Sequence, residues 1–116
     1  MFAHVFIDLA AALICFAGQC YPALVGEATP RGNFRLTHYS TTTPGYGGNI
    51  LVFQETATEL WGIHPVIDVP GQNRPTRLLS PSADSRIKVT AGCVNIQPDV
   101  MDLLIDCCSD AEVLIK

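Results

Sequence analysis

The chain is poor in basic residues. Seven Lys and Arg are scattered over 116 positions, at 31, 35, 74, 77, 86, 88 and 116, against 11 Asp and Glu, giving a net charge of −4 and a pI near 5.1. No cationic face is available for a polyanion, so nucleic-acid binding is excluded. No basic residue precedes Arg31, so the apolar opening MFAHVFIDLAAALICFAGQC lacks the charged start of a secretion signal. Asp8 interrupts that stretch short of the ~20 apolar residues a membrane span needs. Neither an export signal nor a transmembrane segment is read. No Cys-x-x-Cys pair occurs among the five cysteines, at 15, 20, 93, 107 and 108, and adjacent Cys107 and Cys108 cannot grip one zinc with helpful geometry. A metal site is therefore not expected. Repeats, low-complexity tracts and linkers are missing too, so residues 1–116 read as one small domain.

What is present describes a folded chain, with 48% hydrophobic and 16% charged residues. The odd cysteine count leaves at least one thiol unpaired unless chains are cross-linked, and free buried cysteine is the expected state for most of them.

The expected architecture is mostly β, a mixed-sheet, sandwich- or barrel-like fold with one main helix. HVFIDLA, with Val5, Ile7 and Leu9 on one face, pairs with ALICF, which turns through Ala17-Gly18 into QCYPALVG. GNFRLTHY (32–39) reads as one strand and is followed by the turn-rich STTTPGYGGN (40–49). ILVFQE (50–55) and ELWGIH (59–64) form a central hairpin, and a long polar loop with three prolines spans 68–85. RIKV (86–89) alternates as a strand, with Ile87 and Val89 inward. PDVMDLLIDCC (98–108) is the convincing helix: Pro98 suits its first position, Asp99 and Asp102 suit its N-terminal dipole, and Val100, Leu103, Leu104 and Cys107 form an apolar stripe. AEVLIK (111–116) closes the chain as a strand.

Cys93 then sits where a strand ends and a turn runs toward a helix. Gly92 before it permits backbone geometry closed to other residues, which can aim successive N–H groups at one point. A thiol beside such donors has a nucleophile and a cradle for an oxyanion, the two needs of acyl transfer. A base is still required, because free cysteine is mostly protonated at neutral pH. Of His4, His38 and His64, the last is the best placed, at the end of an apolar strand and followed by Pro65. Spacing alone leaves open both a Cys93–His64 couple and a structural thiol beside an unrelated histidine.

The segment TAGCVN (90–95) resembles the nucleophile motif of the L,D-transpeptidase catalytic domain family, in which Ser or Thr and one further residue precede Gly-Cys, an aliphatic residue and Asn or Arg. TPRGNF (29–34) is similar to the family's Thr-Pro-x-Gly-x-Phe segment, and GIHPV (62–66) resembles its strand-end histidine. VFIDLAAALICF matches the opening hairpin and EVLIK the closing strand, so the likeness spans nearly the whole chain. It implies Cys93 as nucleophile and His64 as the general base that keeps it as thiolate. It also implies the Pro65 carbonyl as the base's partner, and the N–H groups of Ala91, Gly92 and Cys93 as the oxyanion hole. Thr90 and Asn95 match motif positions that shape the turn on the substrate side. Arg86 is a candidate for a substrate carboxylate or a solvated strand-edge charge. Tyr46 is a candidate cleft wall or a turn aromatic, and Trp61 reads as core.

The chain departs from the commoner pattern in having Ala91 where many members carry a histidine, and in a longer interval from His64 to Cys93. The implied reaction is acyl transfer on peptidoglycan stem peptides. Cys93 attacks the carbonyl on the L-centre of a diamino acid, the terminal D-amino acid leaves, and a second stem's amine resolves the thioester. Water as acceptor would make an L,D-carboxypeptidase, and a D-amino acid would make an exchange enzyme. Neither needs a cofactor. The site of action so implied is periplasmic or otherwise extracytoplasmic, reached without a recognisable signal peptide, which fits delivery as an antibacterial effector as one route. A non-catalytic cell-wall-binding module is the competing class.

Overall fold

The computed structural model describes residues 4–42 and 48–116; Tyr46, a candidate cleft residue, lies outside them. Two sheets carry the fold. The first is five-stranded, in the order β3-β2-β1-β9-β4, and the second four-stranded, in the order β5-β6-β7-β8. β1 (His4–Asp8), β2 (Leu13–Phe16) and β3 (Gln19–Pro22) form the opening meander. Its second connection is the two-residue turn at Ala17 and Gly18, with φ of 50° and 82°, between paired Phe16 and Gln19. Two successive positive φ values mark the type I′ turn, whose twist suits a tight hairpin. β9 (Glu112–Ile115) runs parallel to β1 and antiparallel to β4 (Gly32–Arg35), closing the sheet with the last residues of the chain. The mostly β architecture, with one main helix after the cysteine, is as the sequence predicts.

GNFRLTHY is not one strand. Leu36, fully buried, is a pivot between β4 in the first sheet and β5 (Thr37–Ser40) in the second. One residue thus carries the chain across the core, and Phe34 of β4 meets Phe53 with ring centroids 5.9 Å apart. β6 (Asn49–Glu55) and β7 (Leu60–Pro65) form the expected hairpin. The 68–85 segment contains a short helix α1 (Arg74–Leu78) and a 3-10 turn (Ala83–Ser85).

RIKV does not form the alternating strand that its pattern suggests. Arg86 turns inward, and its guanidinium donates to the carbonyls of Ala11, Ala12, Ser80 and Ser82. Lys88 then adopts φ 56°, which breaks any extended run. The strand of this region comes later. β8 (Val94–Ile96) is wholly buried and pairs in parallel with β7, so Cys93 precedes a strand and does not end one.

α2 (Pro98–Cys108) has the predicted bounds but a rotated face. Val100, Met101, Leu104 and Cys108 are buried, whereas Leu103, expected in the stripe, is 52% exposed and Cys107 faces solvent. Helical spacing allowed either set; the sheets beneath select the one containing Met101. These side chains join Val5, Ile7, Ile14, Leu51, Ile63, Val94 and Val113 in one core cluster that draws on both sheets. Four of the cysteines are paired, contrary to the expectation of free thiols. Cys15 bonds Cys20, its cross-strand neighbour, and Cys107 bonds Cys108. Among the described residues no helix is long and apolar enough to cross a membrane.

Candidate active site

Cys93 is the remaining free cysteine, half-buried at the mouth of β8. Its neighbours follow from the parallel register of β7 and β8, in which Ile63 faces Val94 and His64 faces Asn95. Side chains alternate across a strand, so Cys93 lies on the same sheet face as Asn95 and, one strand over, as His64. Gly62 offers the thiol its backbone N–H, and the thiol reaches the Leu60 carbonyl at 3.9 Å.

His64 is 2% exposed. Its Nδ1 lies 2.8 Å from the carbonyl oxygen of Pro65, which can only accept, so Nδ1 carries the hydrogen and Nε2 the lone pair. Asn95 Nδ2 donates to Nε2 at 3.2 Å. The amide's orientation is fixed from its other end, where Arg74 Nη1 donates to Oδ1 at 3.1 Å. A chain of Arg74, Asn95, His64 and the Pro65 carbonyl therefore holds one tautomer of the ring.

Burial lowers the His64 pKa, with the positive Arg74 adding to the effect and the bond to Pro65 opposing it. Burial also raises the Cys93 pKa, against the Gly62 N–H and the charge of Arg74, which both favour thiolate. The two shifts oppose the expectation of a resting thiolate. In each group burial works against the charged form.

The turn that carries Cys93 is braced by residues distant in sequence. Thr29 Oγ1 donates to the Gly92 carbonyl at 3.0 Å and accepts from the Gly26 N–H at 2.9 Å, tying the TPRG segment to the Gly-Cys turn. Thr90 Oγ1 donates to the Cys93 carbonyl. Among the described residues the N–H groups of Ala91, Gly92 and Cys93 meet no acceptor. Gly92 is needed for a reason other than the expected one. Its φ is not left-handed, but a Cβ there would stand 2.5 Å from the indole of Trp61, which packs on the turn. Trp61 is thus both partly buried against the core and the platform beneath the turn that carries Cys93. Ala91 is exposed, and a cavity of about 420 Å³ opens beside it, lined by Glu27, Ala28, Lys88 and Thr90.

Of the sequence candidates, the structure brings together Cys93, His64, Pro65, Gly92, Ala91, Thr90 and Asn95. It removes Arg86, which is 5% exposed and committed to backbone carbonyls. The cation beside the thiol is Arg74, which sequence reasoning left inside a polar loop. Its only prior signal was a basic side chain between prolines in a segment too long to be idle. Among the described residues no three metal-binding side chains converge.

Cys93, at the mouth of β8, and the carbonyl-anchored His64 of the parallel neighbour β7 thus lie on one face of a two-sheet β fold. The particular fold is that of the L,D-transpeptidases. The chain superposes on the L,D-transpeptidase from Xylanimonas cellulosilytica with a TM-score of 0.64 and 15% identity, over 99% of this chain and 60% of that one. An L,D-transpeptidase from Mycobacterium tuberculosis gives 0.65 and 13% over 98% and 57%, and one from Mycobacterium smegmatis gives 0.57 and 17% over 98% and 58%. The chain therefore spans about three-fifths of the length of these structures. No protein-family model and no curated protein matches it in sequence.

Proposed function

We propose that this chain is a cysteine acyltransferase of the L,D-transpeptidase type, acting on peptidoglycan stem peptides. The observation that carries the proposal is the free thiol of Cys93 on the same sheet face as His64, a buried imidazole whose Nδ1–H is tied to the Pro65 carbonyl at 2.8 Å. That bond leaves Nε2 as the ring's basic position, whose lone pair accepts from Asn95 Nδ2 at 3.2 Å until the thiol proton replaces that amide hydrogen.

The thiol proton passes to His64 Nε2 as sulfur attacks the carbonyl on the L-centre of the stem's diamino acid. The oxygen takes the negative charge among the N–H groups of Ala91, Gly92 and Cys93, which have no other acceptor to leave among the described residues. Collapse breaks the carbon–nitrogen bond, and the imidazolium returns its proton to the departing amine of the D-amino acid. A thioester on Cys93 remains. An amine of a second stem then attacks it, losing a proton to His64, and the thiolate is expelled and reprotonated.

Incubation with purified muropeptides, followed by mass spectrometry, tests this. The expected products are a thioester adduct on Cys93, a stem shortened by its D-amino acid and a cross-linked dimer. Shortened stem without dimer assigns the hydrolytic activity, and an exchanged terminal residue assigns the exchange activity. Binding with no adduct and no product from any acceptor would overturn the enzymatic reading and favour a wall-binding module.

A further inference from the structure

We infer that Arg74 is a specificity-determining residue that binds the free α-carboxylate of the donor stem's terminal residue. The inference rests on the acyl-transfer reading above. Three arginines lie in the segment between β7 and Cys93, and two are committed. Arg86 ends on four backbone carbonyls, and Arg77 donates to Ser85 at 2.7 Å and to Ile87 at 3.5 Å, also on carbonyl oxygens.

Arg74 differs. Its Nε is steadied by Gln72 at 2.7 Å and Nη1 by Asn95 at 3.1 Å, while Nη2 donates to no acceptor among the described residues. The residue is half-buried. Asn95 stands two residues after Cys93 on the same face, so the guanidinium lies at the nucleophile, close enough for its charge to favour the thiolate. No carboxylate of the protein pairs with it among the described residues.

The substrate supplies that carboxylate. In a stem peptide ending in a D-amino acid, the carboxylate carbon is three bonds from the carbonyl carbon that sulfur attacks. A group that places the attacked carbon on Cys93 must therefore place the carboxylate within a few ångströms, where a pre-positioned guanidinium edge can take it through charged hydrogen bonds. An internal peptide or an amidated stem offers no such charge. Arg74 thus restricts cleavage to the last residue of the stem.

The test uses two donors, a tetrapeptide stem with a free terminal carboxylate and the same peptide as its terminal amide, with the wild-type chain, Arg74→Gln and Arg74→Lys. Amidation is expected to lower wild-type kcat/KM by roughly 10- to 100-fold, the worth of a charged hydrogen-bonded pair. Arg74→Gln should lose a similar factor on the free acid and little more on the amide, and Arg74→Lys should recover part of the discrimination. The same comparison by calorimetric binding in a Cys93→Ser background reads the clamp without turnover. If wild type turns over neither peptide while binding still prefers the free acid in an Arg74-dependent way, the clamp stands and the acyl-transfer reading fails. Unchanged discrimination in Arg74→Gln, or an equal loss on both donors, overturns the clamp; the second pattern assigns Arg74 to positioning His64 through Asn95.

Discussion

At the scale of single residues, burial works against the charged form of both Cys93 and His64. Burial lowers the His64 pKa and raises that of Cys93, and each direction predicts the shape of a pH profile. A base is useful only when unprotonated, so activity should persist as pH falls through the ordinary histidine range near 6.5 and fail only below it. Cys93 alkylation by iodoacetamide in the free protein should rise steeply only at or above the ordinary thiol range. A reactivity plateau extending to pH 6 in the alkylation profile would instead show a resting thiolate–imidazolium pair. Gly92 gives a second test. Ala in its place must displace the Trp61 indole or the turn, because the new Cβ would stand 2.5 Å from the ring. Gly92→Ala should cost about 1–3 kcal/mol by thermal unfolding and lower turnover at intact Cys93. Trp61→Leu in the same chain should recover part of the stability, since neighbouring changes are not additive.

At the scale of elements, legibility followed periodicity. β1, β2, β6, β7 and β9 could be read because alternation or apolar runs are long enough to repeat, and α2 because Pro98 and the acidic first turn fix its start. β8 could not, because Val94, Asn95 and Ile96 are all buried and three residues carry no period. The division at Leu36 was equally silent, since a single buried leucine fits one long strand as well as a pivot between two. The face of α2 was legible only to within one position, because Leu103 and Leu104 are both apolar and the sheets decide between them. Leu104→Ala should cost roughly 2–5 kcal/mol, whereas Leu103→Ala should stay within about 0.5 kcal/mol, as denaturant titration would measure. Equal costs would mean that the helix docks by the face read from sequence.

At the scale of the whole molecule, the site's backbone was legible and its cation was not. The Gly-Cys turn, the strand-end histidine and the TPRG brace form an ordered set along the chain. Where an arginine's charge ends depends on carbonyls brought in from elsewhere. Ala11 and Ala12 claim Arg86, and Asn95 claims Arg74, through contacts across the fold. The disulfides are also a whole-molecule property. Thiol titration of the denatured, unreduced protein should find one reactive cysteine, rising to five after reduction. Five thiols before reduction would show the pairs to be absent, and the Cys15–Cys20 cross-link of β2 and β3 would be lost with them.

The packing of Trp61 on Gly92 has one further consequence. The chain contains a single tryptophan, and its indole lies against the turn that carries Cys93. Any acyl group arriving on that sulfur alters the polarity around the only indole fluorophore in the molecule. Emission intensity or wavelength should therefore shift as the acyl-enzyme forms and return as it is discharged. The fold thus carries an optical reporter beside Cys93, and for the proposed reaction stopped-flow fluorescence would resolve the two half-reactions without a label.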